Sequence, residues 1–200
     1  MNASPTLREV TGRDNTLPNL GDTTLILIDF QNTYRSGVMA LEGAEPALAA
    51  GARLLAAARA AGAPVVHVMH DGGEGTPYDI RAEIGSISNE VAPVGDEPVV
   101  VKEYPNSFHL TDLEQTLRNL GAGPDLVLAG FMTHMCVTFT AQGAFNLGYR
   151  PTVVAEATAT RSLPAPDGSV VPAATLRTSA LTTIGDIFGI IAPTVGDLTK

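Results

Sequence analysis

The chain has 200 residues, 44% of them hydrophobic, which fits one globular domain with a substantial core. Its net charge of −9 argues against nucleic acid or anionic membranes as partners, because phosphate groups are bound by basic surfaces. No apolar run approaches the ~20 residues of a membrane span. The polar beginning of the chain lacks a signal-peptide pattern, and its single cysteine cannot form an internal disulfide, so we expect a cytoplasmic protein.

Apolar runs and helix-forming stretches alternate along the chain after a first segment without any clear period. Residues 1–22 are predicted to form an extended N-terminal arm that could pack against a neighbouring subunit. Short apolar runs predict strands, at 23–30, 64–70, 98–102, 126–129, 151–155 and 187–191. Helix formers, caps and terminating glycines predict helices, at 47–61, 111–120, 133–147 and 171–183. Thr111, with Glu114 three residues later, predicts a capping box at the start of the second of these helices.

Strands that alternate with helices build a parallel sheet with helices on both faces. We therefore predict an α/β protein with a three-layer α/β/α Rossmann-like fold and a parallel sheet of about six strands. Since no internal repeat or linker interrupts the sequence, residues 23–200 should form a single domain. The loops 71–95 and 156–168 are long enough to form substrate-binding walls and to set specificity.

Three of the predicted strands lead into residues that carry chemistry. Asp29 stands near the end of the first strand, Lys102 ends the third, and Cys136 follows the fourth. The carboxyl ends of parallel strands meet at one edge of a sheet, where open α/β sheets bind ligands. Cys136 would occupy the first turn of a helix capped by Thr133, where free N–H groups lower the pKa of a thiol.

These three residues form a coherent set for nucleophilic catalysis. An ionised thiol can attack a carbonyl, a carboxylate can carry its proton to a leaving amine, and a lysine can hold the carboxylate in place. Each residue alone also has an ordinary structural reading: Cys136 in the core, Asp29 as a strand-end residue and Lys102 as a solvated charge. Their shared position at strand ends favours a catalytic site.

The segments LILIDFQNTY, VVVKEYPNSF and LAGFMTHMCV resemble the isochorismatase-like cysteine hydrolases, which include nicotinamidase and N-carbamoylsarcosine amidohydrolase. The resemblance extends over nearly the whole domain with matching strand order. It implies that Asp29 is the acid/base, Lys102 the family's lysine and Cys136 the nucleophile. The reaction it implies is hydrolysis of a C–N bond in a small amide, carbamoyl or ureido compound through a thioester at Cys136.

The same resemblance implies how the carbonyl oxygen would be held. A cis peptide bond is expected between Phe131 and Met132, which would turn the Met132 N–H toward the thiol. Together with the N–H of Cys136 it would form an oxyanion hole. Thr133 would help to hold this turn.

Five side chains are predicted to support or contact the substrate site. The resemblance implies that Gln31 supports the aspartate and that Tyr34 and Phe108 line the pocket with aromatic rings. His70 could face the pocket from its strand end. His134, two residues before the cysteine, would either line the pocket or face a neighbouring subunit.

A metal site is not expected. Nicotinamidases carry one aspartate and several histidines after the second strand, but His67 and His70 here are three residues apart and face opposite sides of a strand. Further histidines are missing from the loop, and His67 is expected to be buried. We therefore predict no metal and no other cofactor. The predicted assembly, following family members, is a homo-oligomer between a dimer and an octamer.

Two other functions stay open. Isochorismatase itself hydrolyses a vinyl ether, although that branch of the family lacks the cysteine, so Cys136 favours C–N hydrolysis. A chain with this site could also have lost turnover and act as a small-molecule or redox-responsive binding protein, with a low-pKa thiol as the sensor. Few positive residues surround the predicted site, which does not favour a strongly anionic substrate.

Overall fold

A six-stranded parallel sheet forms the centre of the computed structural model, which describes residues 3–199. Met1 and Asn2 of the predicted arm and Lys200 of the predicted domain lie outside the described residues. The strands are β1 (Thr24–Ile28), β2 (Val65–His70), β3 (Val99–Lys102), β4 (Asp125–Phe131), β5 (Arg150–Ala159), β6 (Leu163–Pro164), β7 (Val170–Val171) and β8 (Ile190–Ala192). The order across the sheet is β3-β2-β1-β4-β5-β8, and β6 pairs with β7 in a separate hairpin.

Helices cover both faces of this sheet, as the alternation of strands and helices predicts. They are α1 (Leu7–Val10), α2 (Ala44–Ala60), α3 (Leu113–Asn119), α4 (Thr138–Asn146) and α5 (Ala173–Thr183). The apolar side of α2 packs on one face with the side chains of Leu25 and Leu27. On the other face, α3 and α4 pack against Ile26 and Ile28. Alternate side chains of β1 therefore pack into two separate cores, one on each face of the sheet. The predicted three-layer α/β/α fold is confirmed.

The strand order changes direction at β1, and this switch point predicts where a ligand would bind. The chain builds outward from β1 through β2 to β3, then returns to add β4 on the other side of β1. Open α/β sheets bind ligands at the carboxyl ends of the strands beside such a switch point. Here those ends are Ile28, at the end of β1, and Phe131, at the end of β4.

Several element boundaries differ from the prediction. Strand β5 continues through Glu156 to Ala159, because its end pairs with the end of β4 after a shift in register. The segment Ile184–Phe188 is a π-helix that prolongs α5, so the last strand starts only at Ile190. The predicted capping box of α3 is wrong: Thr111 donates its hydroxyl hydrogen bond to Ser107 O, and Glu114 pairs with Arg118.

The predicted arm is not simply extended. Residues 7–10 form α1, with Thr6 and Glu9 in a capping box that the sequence analysis missed. The helix contacts its own chain: the Leu7 N–H donates to Asp186, and the Arg8 guanidinium donates to the Ile187 carbonyl. The arm therefore packs, in part, on the end of α5. No helix within residues 3–199 combines the length and apolar character needed to cross a bilayer.

A half-buried charge network connects α2 to the sheet. Arg59 of α2 donates two hydrogen bonds to Glu97, and Glu97 also contacts Nε2 of His67, at 2.9 Å, in β2. The Arg59 guanidinium, with the Val94 N–H and His67, lowers the pKa of Glu97 to about 2. Burial lowers the pKa of His67 below its ordinary 6.5. His67 is therefore a buried structural residue, as predicted.

Acid is expected to weaken the fold through this network. Glu97 has a lower pKa in the folded than in the unfolded chain, so the unfolded chain binds more protons below pH 4.5. The stabilisation is present above that pH and is lost as the pH falls toward 2; His67 acts in the same direction below pH 6.5. In urea unfolding, Glu97→Gln should be less stable than the wild type at neutral pH and lose less stability in acid. An identical pH dependence of the two proteins would contradict this.

Candidate active site

Asp29, Lys102 and Cys136 meet at the carboxyl edge of the sheet, as their positions at strand ends predict. Lys102 Nζ lies 2.8 Å from Oδ2 of Asp29 and 3.4 Å from Sγ of Cys136. The side chains of the ion pair are 0% exposed, and Cys136 is 5% exposed. Buried charges are costly unless they are paired, so a buried ion pair in contact with a thiol marks a candidate functional site.

The backbone at Asp29 leaves the sheet in a conformation that few residues adopt. Its φ is 52°, in the left-handed region that disfavours side chains other than those of glycine, asparagine and aspartate. The Asp29 N–H still donates to Val68 O of β2 at 2.9 Å, and its carbonyl accepts from the Gln31 N–H at 2.8 Å. Strained backbone of this kind concentrates at functional sites. Here it occurs at the residue that places a carboxylate beside Lys102.

The end of β4, just before the turn to Cys136, needs a glycine. Gly130 has φ 136°, and a Cβ there would lie 1.9 Å from the carbonyl oxygen of Ile28 in the neighbouring strand. The peptide bond between Phe131 and Met132 is cis, as the resemblance implied. Residues Thr133–Val137 then form a π-helix that leads into α4. Cys136 therefore lies in a π-helical turn, and the Thr133 side chain does not form the predicted cap.

The thiol of Cys136 is not activated in the resting site, contrary to the prediction. Burial, together with the negative charge of Asp29 and against the opposing effect of Lys102, raises the pKa of Cys136 to about 12. The prediction considered the helix N-terminus, and it did not include the loss of water around the sulfur. A buried, protonated thiol is also a poor redox sensor, since oxidation follows thiolate character and exposure.

Lys102 keeps its charge in this buried position. Burial alone would lower the pKa of Lys102, but Asp29 and Cys136 outweigh that effect and raise the pKa above its ordinary value. An ammonium group that stays protonated can stabilise the Asp29 carboxylate and any negative charge that develops on sulfur. The resting site thus holds a carboxylate, an ammonium and a neutral thiol.

Aromatic rings border this cluster. Tyr34 is almost fully buried, and its ring contacts the rings of Phe131 and Tyr78 edge-to-face, with centroids 5.5 and 5.8 Å apart. Burial raises the pKa of Tyr34 well above 10, and the charges of Asp29 and Cys136 add to this effect. The structure therefore brings Tyr34 to the site. It also brings Tyr78, from the loop 71–95, within electrostatic range of the thiol.

Three other side chains that were predicted at the substrate site make different contacts in the structure: Gln31, His134 and Phe108. The Gln31 amide bonds to the backbone of His70 rather than to the Asp29 carboxylate, accepting from its N–H at 2.9 Å and donating to its carbonyl at 3.0 Å. Nδ1 of His134 bonds to the hydroxyl of Thr160, at the end of β5. The ring of Phe108 stacks on Tyr149, next to the first residue of β5, and packs on the same buried core as Cys136. Its place in the substrate pocket stays a prediction.

Arg161 is a candidate residue that the sequence analysis missed. Burial lowers the pKa of His134, and the positive charge of Arg161 lowers it further. Burial raises the pKa of Tyr78, and the same charge reduces that rise. Nε of Arg161 is buried without a hydrogen-bond partner, and among residues 3–199 no carboxylate lies within ion-pair distance of this guanidinium. No pattern marked this arginine, because it lies in a loop two residues beyond the end of β5.

Metal-ligating side chains do not gather at the site. Among the described residues no group of three His, Cys, Asp or Glu side chains could hold a metal ion. His67 is bonded to Glu97, whereas His70 lies beside Lys102. The two histidines therefore serve different parts of the structure.

The fold and the site together define an α/β protein with a buried thiol, carboxylate and ammonium at the switch point of a parallel sheet. The model of the isochorismatase domain matches residues 23–184, and the chain belongs to the isochorismatase family. The family's members are hydrolases, and some of them act on C–N bonds other than peptide bonds.

Curated relatives and a solved structure agree with this membership. An uncharacterized isochorismatase family protein of Bacillus subtilis strain 168, YddQ, is 37% identical over 175 residues, which cover 86% of this chain and 96% of that protein. The ureidoacrylate amidohydrolase RutB of Stutzerimonas stutzeri strain A1501 is 30% identical, over 68% of this chain and 69% of its own. The crystal structure of an isochorismatase, PP1826, from Pseudomonas putida KT2440 is 40% identical. It superposes with a TM-score of 0.92 and covers 97% of this chain and 99% of that one.

Proposed function

We propose that this protein is a cysteine hydrolase that cleaves a C–N bond of a small amide, carbamoyl or ureido compound through a thioester at Cys136. The observation that carries the proposal is the buried contact of Lys102 Nζ with both the Asp29 carboxylate and the Cys136 thiol. A relative whose name states that it is an amidohydrolase supports the class of reaction. The thiol is the reason to prefer C–N hydrolysis to vinyl-ether hydrolysis, since a thioester requires a sulfur nucleophile.

In the first step, Asp29 accepts the proton of Cys136 while the sulfur attacks the carbonyl carbon. The S–C bond forms as the C=O π electrons move to oxygen. Because burial keeps the pKa of the thiol near 12, proton transfer and attack are coupled rather than preceded by a free thiolate. The backbone N–H groups of Met132 and Cys136 hold the oxyanion, an interaction worth about 3 kcal/mol per donor. Lys102 stays protonated throughout.

In the second step, the C–N bond breaks and its electron pair goes to nitrogen, which takes the proton from Asp29. Ammonia or an amine leaves, and the acyl group remains on Cys136 as a thioester. Asp29 then accepts a proton from water as the water oxygen attacks the thioester carbonyl. The C–S bond breaks with its electron pair going to sulfur, which takes the proton back from Asp29, and the acid is released. One carboxylate thus serves twice as base and twice as acid, which its burial beside a cation supports.

The two alternative functions receive less support from the site. Vinyl-ether hydrolysis needs no nucleophilic thiol, and so would leave the contact between Lys102 and Cys136 without a role. A redox-responsive binding protein needs an accessible thiolate, whereas this thiol is buried and its pKa is raised. The cytoplasmic location and the homo-oligomer stay predictions.

Arg161 points to a substrate that carries an anionic group. Its charge acts on the pKa values of His134 and of Tyr78, and the Tyr78 ring packs against Tyr34 at the site. In the described part of the chain no carboxylate pairs with this guanidinium, and its Nε is buried without a partner. Arginine binds carboxylates through two parallel N–H bonds. The overall charge of −9 does not oppose this, because the local potential of a site depends on its nearest charges. A ureido or amide acid therefore suits the site better than a neutral amide.

A screen of ammonia release tests the proposed function. Purified protein is incubated with primary amides, ureido acids and nicotinamide, and the ammonia formed is measured against a Cys136→Ala blank. The proposal predicts release from at least one amide or ureido acid by the wild type alone. It fails if no C–N compound releases ammonia while a vinyl ether is hydrolysed, or if the blank is equally active.

Substitution of Arg161 should separate acidic substrates from neutral ones. Arg161→Gln removes the positive charge and leaves a shorter, neutral polar side chain. A hydrogen bond to a charged group contributes about 1.5–3 kcal/mol, so KM for a ureido acid should rise about 10- to 100-fold. KM for the matching neutral amide should change less than about threefold. Equal effects on both substrates would exclude Arg161 as the partner of an anionic group.

A further inference from the structure

Lys102 has one donor more than Asp29 and Cys136 use. An ammonium group carries three N–H donors. Asp29 Oδ2 lies 2.8 Å from Nζ as its ion-pair partner, and Nζ donates to Cys136 Sγ at 3.4 Å. The third acceptor within reach is Nδ1 of His70, at 3.5 Å. The buried ammonium therefore has three different acceptors around it, and His70 is the one to which the mechanism above gives no role.

His70 is held in place by its backbone and its ring. It is the register partner of Lys102 in the adjacent parallel strand, so both residues end their strands at the same level. The buried Gln31 amide bonds to both backbone groups of His70 and also donates to the Gly85 carbonyl at 2.7 Å. The ring of Tyr78 packs edge-on against the imidazole, with centroids 5.0 Å apart. These contacts fix both the backbone and the ring of His70 beside Lys102.

The imidazole is neutral near pH 7. Burial lowers the pKa of His70, and the charge of Lys102 lowers it further. The groups that oppose this shift are the nearby carboxylates, Asp29, Asp71 and Glu103. A neutral imidazole whose Nδ1 accepts a hydrogen bond carries its proton on Nε2. Protonation of Nδ1 would replace this acceptor by a second cation beside the ammonium.

We infer that His70 is a positioning residue whose Nδ1 accepts the third N–H of Lys102 and so orients the ammonium toward both Asp29 and Cys136. Without this acceptor, only the contacts with Asp29 at 2.8 Å and with the sulfur at 3.4 Å restrain rotation of the ammonium, and the longer contact with the sulfur is the weaker of the two. Gln31 acts indirectly: its amide bonds to the backbone of His70 and so fixes the position from which the imidazole projects. The kinetic consequences of this inference rest on the proposed function; its effect on the thiol does not.

Two substitutions of His70 test the inference by turnover. His70→Ala removes the acceptor, whereas His70→Asn places an amide oxygen near the position of Nδ1. Misplacement of a catalytic group by about 1 Å can slow a reaction about 100-fold, so kcat of His70→Ala should fall about 10- to 100-fold with KM changed less than threefold. His70→Asn should recover most of the lost kcat. An alanine variant with wild-type kcat, or an asparagine variant as slow as the alanine variant, would overturn the inference.

A second readout does not depend on turnover. The rate of Cys136 alkylation by iodoacetamide is measured from pH 7 to pH 10 by intact mass, since Lys102 favours the thiolate that reacts. His70→Ala should be alkylated at least threefold more slowly at each pH, and His70→Asn at nearly the wild-type rate. If no substrate is ever hydrolysed, this comparison still tests the role of His70. Alkylation that is unchanged in His70→Ala would overturn it.

His67→Asn is the matched control for a merely structural role. His67 lies on the same strand, is more deeply buried, and bonds to Glu97 instead of Lys102. This variant should lower Tm but leave kcat and the alkylation rate of the folded protein near the wild-type values. If His70→Ala behaved in the same way, with only Tm reduced, His70 would be a structural residue.

Discussion

Replacing Cys136 with alanine should lower kcat/KM for C–N hydrolysis about 10⁴-fold or more while the protein stays folded. The loss is large because the nucleophile acts as a unit with its base, and removal of one member removes the whole covalent route. The fold should tolerate the change, since only one sulfur atom is lost from a core that contains Val137, Ala141 and Ala144 around it. The measurements are initial rates on a substrate found in the ammonia screen and thermal unfolding of both proteins.

A serine at position 136 is the matched control. Cys136→Ser keeps the shape and one polar atom, but its hydroxyl is a far weaker acid than a thiol in the same buried place. We expect it to be almost as inactive as the alanine variant. If Cys136→Ala retained more than about a tenth of the activity, covalent catalysis by this residue would be excluded.

Removal of one partner of the Asp29–Lys102 ion pair should both abolish activity and weaken the fold. Lys102→Met leaves the Asp29 carboxylate alone in a site that is 0% exposed. An unpaired buried charge of this kind costs about 3–5 kcal/mol of unfolding free energy. The carboxylate can escape this cost by taking up a proton, so the destabilisation should be largest near neutral pH and smaller in acid. Urea unfolding at several pH values measures both effects.

The double variant separates stability from catalysis. Asp29→Asn alone leaves the ammonium unpaired, whereas Asp29→Asn with Lys102→Met contains no buried charge at the site. Replacing a buried pair by neutral groups of similar volume is often nearly neutral for stability, so the double variant should regain most of what each single variant loses. It should stay inactive. Additive losses, with the double variant the least stable, would show that the pair does not act as a coupled unit.

The architecture and the three central residues could be predicted because local patterns determine them. Buried apolar runs separated by helix formers predict a parallel sheet, and the carboxyl ends of parallel strands have to share an edge. The convergence of Asp29, Lys102 and Cys136 could therefore be predicted without knowing the structure of any loop. The cis bond at Phe131–Met132 came from resemblance alone, and the structure contains it.

The rest of the site depends on tertiary contacts that no local pattern encodes. The pKa of Cys136 follows from burial by residues distant in sequence, so a rule about helix ends predicted the wrong direction. Phe108 matched a motif, but its stacking on Tyr149 is a contact that the motif does not predict. Arg161, in the loop after β5, lowers the pKa of His134, and the Gln31 amide bonds to the backbone of His70. Each of these depends on how separate segments pack together.

The thioester is the feature that most directly distinguishes this mechanism from its alternatives. A reaction of wild-type protein with an active amide or ureido acid is quenched in acid within its first turnovers, and the intact mass is measured. We expect a mass increase equal to the acyl part of the substrate, located on the peptide that contains Cys136 and missing from Cys136→Ala. Steady release of ammonia without any adduct on that peptide, and with the alanine variant equally active, would contradict the mechanism.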